Sequence, residues 1–270
     1  MQMKILVCMK QVPATSQVEV DPETGSLKRL GTDTRTNPYD LSALETALRL
    51  REQLGGTVTV LTMGPAQAES MMRDAYMMGA DDAVILSDRK FAGSDVLATS
   101  YTLSQGVRLL GGADLILCGR QTTDGDTAQI GPALAEHLGI PHAAWVSEIT
   151  SADETGIEVV QNLASVEQRS RLNWPCLLTV ELNSVVPRLP SYRLKRETAD
   201  RPIRIVGFDE LPERNLSLCG LVGSPTRVEK MFPPAAKAKN VHLEGGPEQE
   251  ADALVAILRE KKLLETEVRA

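Results

Sequence analysis

The chain has 270 residues, of which 42% are hydrophobic and 24% are charged, a composition typical of a globular protein. Its net charge of −7 argues against a nucleic-acid-binding protein, which usually carries a basic face. No apolar run approaches the roughly 20 residues that cross a bilayer, and the apolar start of the chain is too short for a signal peptide. The four cysteines are scattered without a CxxC pair, which predicts reduced thiols and a cytoplasmic location.

Residues 1–120 alternate short apolar runs with amphipathic stretches. The runs predict four buried strands, at Ile5–Met9, Thr57–Thr62, Ala83–Leu86 and Leu115–Cys118. Three helices are predicted between them, from Asn37-Pro38 to Gly55, from Pro65 to Gly79 and from Ser94-Asp95 to Gly111. Such alternation implies right-handed crossovers and therefore an α/β fold with a doubly wound, mostly parallel, Rossmann-like sheet.

The pattern changes after residue 140. Trp145–Ile149, Ile157–Gln161 and Leu177–Leu182 are predicted strands without intervening helices, which indicates a mixed or antiparallel edge, and Val18–Leu30 has the pattern of a hairpin. We expect residues 1–182 to form a nucleotide-binding domain. Residues 183–270 are predicted to form an extended, proline-broken arm, closed by a helix at Pro247–Lys262, that packs on a partner subunit.

The loop after the fourth strand is the strongest candidate for a binding site. Ligands of open parallel sheets lie beyond the carboxyl ends of the strands. Gly119–Thr127 occupies such a position and leads into a predicted helix at Ala128–Leu138, whose N-terminus would suit a phosphate. The spacing is equally consistent with an ordinary loop in which Asp126 or Thr127 caps the helix.

Several familiar catalytic patterns are absent from the sequence. It contains no GxGxxG, no GxxxxGK[ST] and no GxSxG, and its three histidines do not have the spacing of metal ligands. We therefore predict no metal site and no self-sufficient set of catalytic residues. The pattern favours nucleotide binding, with the reaction chemistry left to a cofactor.

Six segments, in their order and spacing, resemble the β subunits of electron-transfer flavoproteins (the EtfB/FixA family). They are Lys4–Pro13, Asn37–Asp40, Met77–Asp82, Gly119–Pro132, Pro187–Leu194 and Gly223–Thr226. The resemblance implies a heterodimer with an α subunit, with oxidoreductase activity only as part of the complex. It also implies a nucleotide held by Cys8, Asn37, Pro38, Tyr39, Asp40, Met63, Gly64, Gly119, Arg120, Gln121, Thr122, Thr123, Asp124, Gly125, Asp126, Thr127, Ala128, Gln129, Ile130 and Gly131.

Two types of family member are distinguished by the nucleotide. In ordinary carriers the pocket holds a structural AMP, and electrons pass from dehydrogenases to a quinone reductase. In electron-bifurcating members it holds part of a FAD that takes hydride from NADH, and electrons go to ferredoxin or flavodoxin and to an acyl-CoA dehydrogenase-type partner. Gly119–Gln121, Asp124–Gln129 and Gly223–Thr226 resemble the bifurcating type, whereas ordinary members tend to carry Lys at the position of Arg120 and bulkier or more acidic residues around Gly125. A small Gly125 would leave room for a diphosphate, with which Arg120 could pair.

A second region, Pro187–Leu194, resembles the segment with which the family docks dehydrogenases. The resemblance implies docking by Arg188, Tyr192 and Arg193, although Leu189 stands where the family usually has an aromatic residue. The alternative is an exposed basic turn.

Two other classes of protein share this type of scaffold. A pyrophosphatase-type adenylating enzyme would carry a Ser-Gly-Gly-x-Asp-Ser loop that is absent here. A stand-alone nucleotide sensor would lack the long arm.

Overall fold

The structure, a computed structural model, describes residues 2–14, 19–20, 27–28, 34–229 and 241–264. The chain divides into two compact units, residues 1–230 and residues 231–270. The strands are β1 (Met3–Cys8), β2 (Gln11–Pro13), β3 (Glu19–Val20), β4 (Leu27–Lys28), β5 (Thr34–Thr36), β6 (Gly56–Met63), β7 (Asp82–Leu86), β8 (Leu115–Gly119), β9 (His142–Ala152), β10 (Gly156–Leu163), β11 (Val166–Asn173), β12 (Cys176–Val180) and β13 (Arg204–Val206). The helices are α1 (Pro38–Leu54), α2 (Glu69–Met78), α3 (Val96–Leu109), α4 (Ile130–Leu138), α5 (Tyr192–Glu197) and α6 (Pro247–Glu260).

The first unit is built on a nine-stranded sheet in the order β11-β10-β9-β12-β8-β1-β6-β7-β13. The pairs from β9 to β13 are parallel, whereas β10 pairs antiparallel with both β9 and β11. The predicted α/β fold with a mostly parallel sheet and a mixed edge is therefore confirmed.

The core lies on both faces of the sheet because side chains alternate along each strand. Ile5 and Val7 of β1 pack in one cluster with α1 and α2, while Leu6 and Cys8 pack in a second cluster with α3 and α4. Burial on both faces explains why the central strands read as continuous apolar runs rather than as alternating ones.

The predicted helices occur, with adjusted starts. Pro38 opens α1, and Asp95 caps α3 by accepting a hydrogen bond from the Ala98 N–H (3.1 Å). The second helix was predicted from Pro65, but a 3₁₀ turn at Ala66–Ala68 precedes α2.

Strands β3 and β4 pair antiparallel, in agreement with the hairpin predicted at Val18–Leu30. The rest of that segment lies outside the described residues.

The segment after residue 182 continues the first unit. Strand β13 pairs in parallel with β7 and extends the sheet at its far edge. Tyr76 Oη donates a hydrogen bond to the carbonyl of Pro202 (2.6 Å), which ties the same segment to α2. Residues 183–229 therefore belong to the body that carries the sheet.

The second unit contains α6, which starts at the predicted Pro247 and ends two residues before the predicted Lys262. Within the described residues, no helix is long and apolar enough to span a membrane.

Candidate functional site

A cavity of about 500 Å³ opens at the carboxyl ends of β1, β6 and β8. This volume lies within the range of small-molecule pockets, and the position is the one expected for ligands of a parallel sheet. The predicted residues that line it are Cys8, Asp40, Met63, Gly119, Arg120, Gln121, Thr122, Gly125, Thr127, Ala128, Gln129, Ile130 and Gly131. The remaining predicted residues are not in the lining: Asn37, Pro38, Tyr39, Gly64, Thr123, Asp124 and Asp126.

Asn37 and Asp40 hold the walls of the cavity together. Asp40 is buried, and its two carboxyl oxygens accept hydrogen bonds from the Lys10 N–H (2.8 Å) and the Gly119 N–H (3.1 Å). Asn37 lies at the N-cap position of α1, but its amide donates to the Gln121 carbonyl (2.9 Å) instead of capping the helix. The start of α1 thus joins the loops that follow β1 and β8.

The electrostatics of Asp40 follow from its burial. Removal from water raises the pKa of Asp40 to about 7, although hydrogen bonds from Lys10, Asn37 and Gly119 act to lower it. Asp40 is therefore a carboxyl group in the cavity wall whose pKa lies close to neutrality.

The loop before α4 has the backbone geometry of an anion site. Ala128 has φ 54°, in the left-handed region, and the next residue, Gln129, is right-handed at φ −112° and ψ −19°. When a left-handed residue is followed by a right-handed one, their backbone N–H groups point to the same side and form a concavity that binds anions. Here the concavity lies next to the N-terminus of a helix. A left-handed conformation is costly for alanine, and such strain is typical of functional loops.

This geometry corrects two expectations for the loop. The helix begins at Ile130 rather than at Ala128, because Ala128 is left-handed. Neither Asp126 nor Thr127 caps it, since Gln129 occupies the N-cap position without a side-chain hydrogen bond. Asp126 accepts instead from the Gln121 side chain.

Arg120 is held by two residues that the sequence analysis did not identify. Its Nη1 lies 2.8 Å from Glu181 Oε1, and its guanidinium stacks 3.8 Å from the centre of the Trp145 ring. Trp145 has φ 61° at a bulge in β9, and its N–H donates to Thr179 Oγ1 (3.0 Å). Among the described residues, the buried Nε of Arg120 has no hydrogen-bond partner.

Lys10 is a further cavity residue that was not predicted. Its Nζ lies 2.7 Å from Asp124 Oδ2, so the loop after β1 is linked to the loop after β8. Burial acts to raise the pKa of Asp124, but hydrogen bonds from Lys10 and Thr122 hold it below its usual value.

Three glycines shape the cavity in different ways. A Cβ at Gly119 would collide with Asp40 and Tyr39, and one at Gly131 would collide with Thr179, so both are needed for close packing. A Cβ at Gly125 would meet only Thr122 Oγ1, at 3.5 Å. Gly125 therefore faces space that a ligand can use.

The far wall of the cavity comes from the start of α3 and from the Gly223–Thr226 segment. Thr226 donates from N (3.0 Å) and Oγ1 (2.8 Å) to Asp95 Oδ2, while Ser224 Oγ accepts from the Asp95 N–H (2.8 Å). These contacts hold the arm against α3. The cavity residues that the sequence analysis missed are Met9, Lys10, Ser94, Asp95, Val96, Thr99, Leu103, Cys118, Thr226 and Val228.

Cys8 and Cys118 lie next to each other in the cavity, because they are register partners on β1 and β8. A hydrogen bond from Cys8 and burial raise the pKa of Cys118 well above its usual value. All four cysteines are buried and reduced.

The docking segment is separate from the cavity. Arg188 Nε lies 2.8 Å from Glu45 Oε2, and Arg188 Nη1 lies 2.7 Å from Glu52 Oε1, so its charge is engaged by α1. Tyr192 begins α5 and is 74% exposed. Arg193 is exposed and lies 3.5 Å from Glu197.

Comparison with known proteins gives consistent results. The chain matches the electron transfer flavoprotein domain family over residues 24–210. Protein FixA of Azorhizobium caulinodans is 42% identical over an alignment 276 residues long, which covers 99% of this chain and 98% of that protein. The caffeyl-CoA reductase-Etf complex subunit CarD of Acetobacterium woodii is 41% identical over 269 residues, and the alignment covers 97% of this chain and 100% of that protein. The electron transfer flavoprotein subunit beta of Clostridium acetobutylicum is 39% identical over 268 residues, and the alignment covers 96% of this chain and 99% of that protein.

The family match covers more than half of the chain, and these three relatives align over nearly their whole length. The chain therefore belongs to the electron-transfer flavoprotein family, as a subunit of the β (FixA) type with a role in electron transfer.

Proposed function

We propose that this chain is the β subunit of an electron-bifurcating flavoprotein and that its cavity binds the ADP part of a FAD. In this proposal an α subunit completes the complex in the cytoplasm, and NADH is the electron donor. Electrons pass to ferredoxin or flavodoxin and to an acyl-CoA dehydrogenase-type partner. The alternative is an ordinary carrier that holds a structural AMP in the same cavity and passes electrons from dehydrogenases to a quinone reductase.

The observation that carries the proposal is the open space at Gly125, in a cavity that Arg120 also lines. The N–H groups of the Ala128–Gln129 turn can bind one phosphate at the start of α4. The open side of Gly125 leaves room for a second phosphate, and the guanidinium of Arg120, which lines the same cavity, can offer a charge-assisted hydrogen bond. An AMP would not need that additional space.

The chain's own residues would bind and orient the nucleotide, whereas the bound flavin would supply the hydride and electron chemistry. Asp40 fixes the two loops around the cavity through backbone N–H groups, so its role is positioning rather than direct contact. Trp145 and Glu181 fix the orientation of the Arg120 guanidinium. A preformed site of this kind reduces the entropy lost on binding.

The nature of the electron acceptor is supported by one relative. CarD of Acetobacterium woodii is named as a subunit of a caffeyl-CoA reductase complex. We propose that this chain serves a partner of the same chemical class, and that Tyr192 and Arg193 contact it. Because Arg188 is engaged by Glu45 and Glu52, we assign it to anchoring the segment.

The test compares Gly125→Asp with Gly125→Ala in the complex with the α subunit. A carboxylate at position 125 would repel a diphosphate at close range, whereas the alanine Cβ fits at 3.5 Å from Thr122 Oγ1. We expect Gly125→Asp to lose FAD from this subunit and to retain AMP binding, and Gly125→Ala to keep both. The measurement is the nucleotide released by denaturation and separated by chromatography.

The outcomes separate the two types of carrier. Two FAD per wild-type heterodimer, falling to one in Gly125→Asp, supports the bifurcating type. One FAD and one AMP, unchanged by the substitution, would make this chain an ordinary carrier.

A further inference from the structure

Two thiols meet on the floor of the cavity. Cys8 is the last residue of β1, and it faces Cys118 in the register of the parallel pair β1–β8. Both side chains lie on the sheet face that packs against α3 and α4, and both line the cavity. The register and the shared face therefore place the two thiols side by side.

The strand spacing at this register pair is compatible with a disulfide. Neighbouring strands lie roughly 4.8 Å apart, within the Cα–Cα range of about 4.4–6.8 Å found in disulfides. The other two thiols have no such partner within the described residues, since Cys176 faces Leu115 in the register of β12 with β8 and Cys219 contacts Thr102.

We propose that Cys8 and Cys118 form a redox-sensitive dithiol that closes to a disulfide when the cavity is empty and exposed to a low-molecular-weight disulfide. In the first step one thiolate attacks a sulfur of the reagent, which releases one thiol and leaves a mixed disulfide. In the second step the neighbouring thiolate displaces the reagent's second thiol. The two cysteines lose two electrons and two protons, and the reagent gains both as two thiols.

The disulfide would act on the nucleotide site through the backbone. Cys118 directly precedes Gly119, and Cys8 lies two residues before Lys10. The carboxyl group of Asp40 accepts hydrogen bonds from the N–H groups of both Gly119 and Lys10. Drawing the two sulfur atoms into a bond shifts both segments that Asp40 joins. This effect rests on the proposed nucleotide site, and it predicts that a nucleotide over the thiols slows their oxidation.

The experiment uses the full chain, stripped of nucleotide, with oxidised glutathione at about pH 8.5, where exchange through thiolates is faster. Non-reducing peptide mapping by mass spectrometry is expected to find one Cys8–Cys118 cross-link, formed about tenfold more slowly with saturating AMP. Calorimetry is expected to find AMP binding about tenfold weaker in the cross-linked chain, with recovery on reduction.

Three variants control this result. Cys8→Ser and Cys118→Ser must each abolish the cross-link, while Cys176→Ser, which changes another buried thiol, must retain it. The inference would be overturned if only glutathione adducts on single cysteines formed, or if the cross-link formed only after unfolding. It would also be overturned if the cross-link formed at the same rate with and without AMP. If calorimetry finds that neither AMP nor FAD binds, both the proposed function and the proposed effect of the disulfide on nucleotide binding fail. A Cys8–Cys118 cross-link in the stripped chain would still establish that the two thiols form a disulfide.

Discussion

Asp40 is the residue whose environment differs most from what its place in the sequence suggests. As the acid at the third position of a helix it would ordinarily be solvated and would interact with the helix N-terminus. In the fold it is buried, and it accepts hydrogen bonds from two loops that line the cavity. The raised pKa of Asp40, about 7, means that the folded chain binds a proton more tightly than the unfolded chain between about pH 4 and pH 7.

The first prediction concerns the stability of the chain in that pH window. Because the folded state holds the extra proton, Asp40 makes the free energy of unfolding decrease as pH rises from about 4 to about 7, by at most about 4 kcal/mol. Above pH 7 this contribution is constant. Asp40→Asn cannot ionise, so we expect its unfolding free energy from urea titrations to be flatter between pH 5 and pH 7 than that of the wild type.

The control for this prediction is Asp95→Asn. Although burial acts to raise the pKa of Asp95, hydrogen bonds from Ala98 and Thr226 hold it below its usual value. Its contribution is therefore lost only as pH falls below about 4, and the variant must keep the wild-type slope between pH 5 and pH 7. Equal slopes for wild type and Asp40→Asn would show that Asp40 is already ionised at pH 5.

The candidate site was predictable where it is contiguous in sequence. The loop from Gly119 to Gly131 combines small residues, hydroxyls and a helix start, and these signals are local. Trp145 and Glu181 were not predictable as partners of Arg120, because the pairing depends on a bulge in β9 and on the order of the strands. Asp95 and Thr226 lie more than a hundred residues apart, and only the folded arm brings them together.

At the scale of elements, the central strands and long helices followed from apolar periodicity, whereas β11, β13 and α5, among others, did not. Strand β11 carries Glu167, Gln168, Arg169 and Arg171 at an exposed edge, so it lacks the apolar signal of a strand. Strand β13 has three residues and is defined by pairing with β7 rather than by its own pattern. Helix α5 is a single basic turn after Ser191 and buries none of its residues.

The second prediction separates anchoring from docking in the segment from Arg188 to Arg193. Glu45 is only 3% exposed, so Arg188→Ala leaves a buried carboxylate with Arg49 as its remaining partner. We expect a loss of about 2–4 kcal/mol in the unfolding free energy, near the cost of breaking a buried ion pair. Tyr192→Ala removes an exposed ring and is expected to cost less than about 0.5 kcal/mol.

Electron transfer rates provide the other half of this test. If Tyr192 contacts the dehydrogenase partner, Tyr192→Ala must slow electron transfer to it while stability stays at the wild-type level. Arg196→Ala, at another exposed position of α5, is the matched control for an effect on α5 itself. A Tyr192→Ala variant that transfers electrons at the wild-type rate would remove the docking role.

At the scale of the whole molecule, the two units differ in how they bury apolar surface. The first unit contains all nine strands of the main sheet and both core clusters. In the second unit no residue of α6 is buried, and Leu254 and Leu263 are 48% and 67% exposed. A helix of 14 residues is marginal in water without packing, so α6 depends on a surface that covers its apolar side.

The third prediction is that a chain ending at residue 229 folds but no longer assembles tightly. Because the sheet, both core clusters and the cavity residues up to Val228 remain, we expect cooperative thermal unfolding within about 5 °C of the wild type. Under the proposal that α6 packs on the α subunit, affinity for that subunit should fall at least about tenfold in calorimetry. Within the full chain, Leu254→Ala should weaken assembly, whereas Asp252→Ala, at an exposed position of the same helix, should not. If the shortened chain binds the α subunit as tightly as the full chain, then α6 serves another contact, and the interface lies entirely on the unit that carries the sheet.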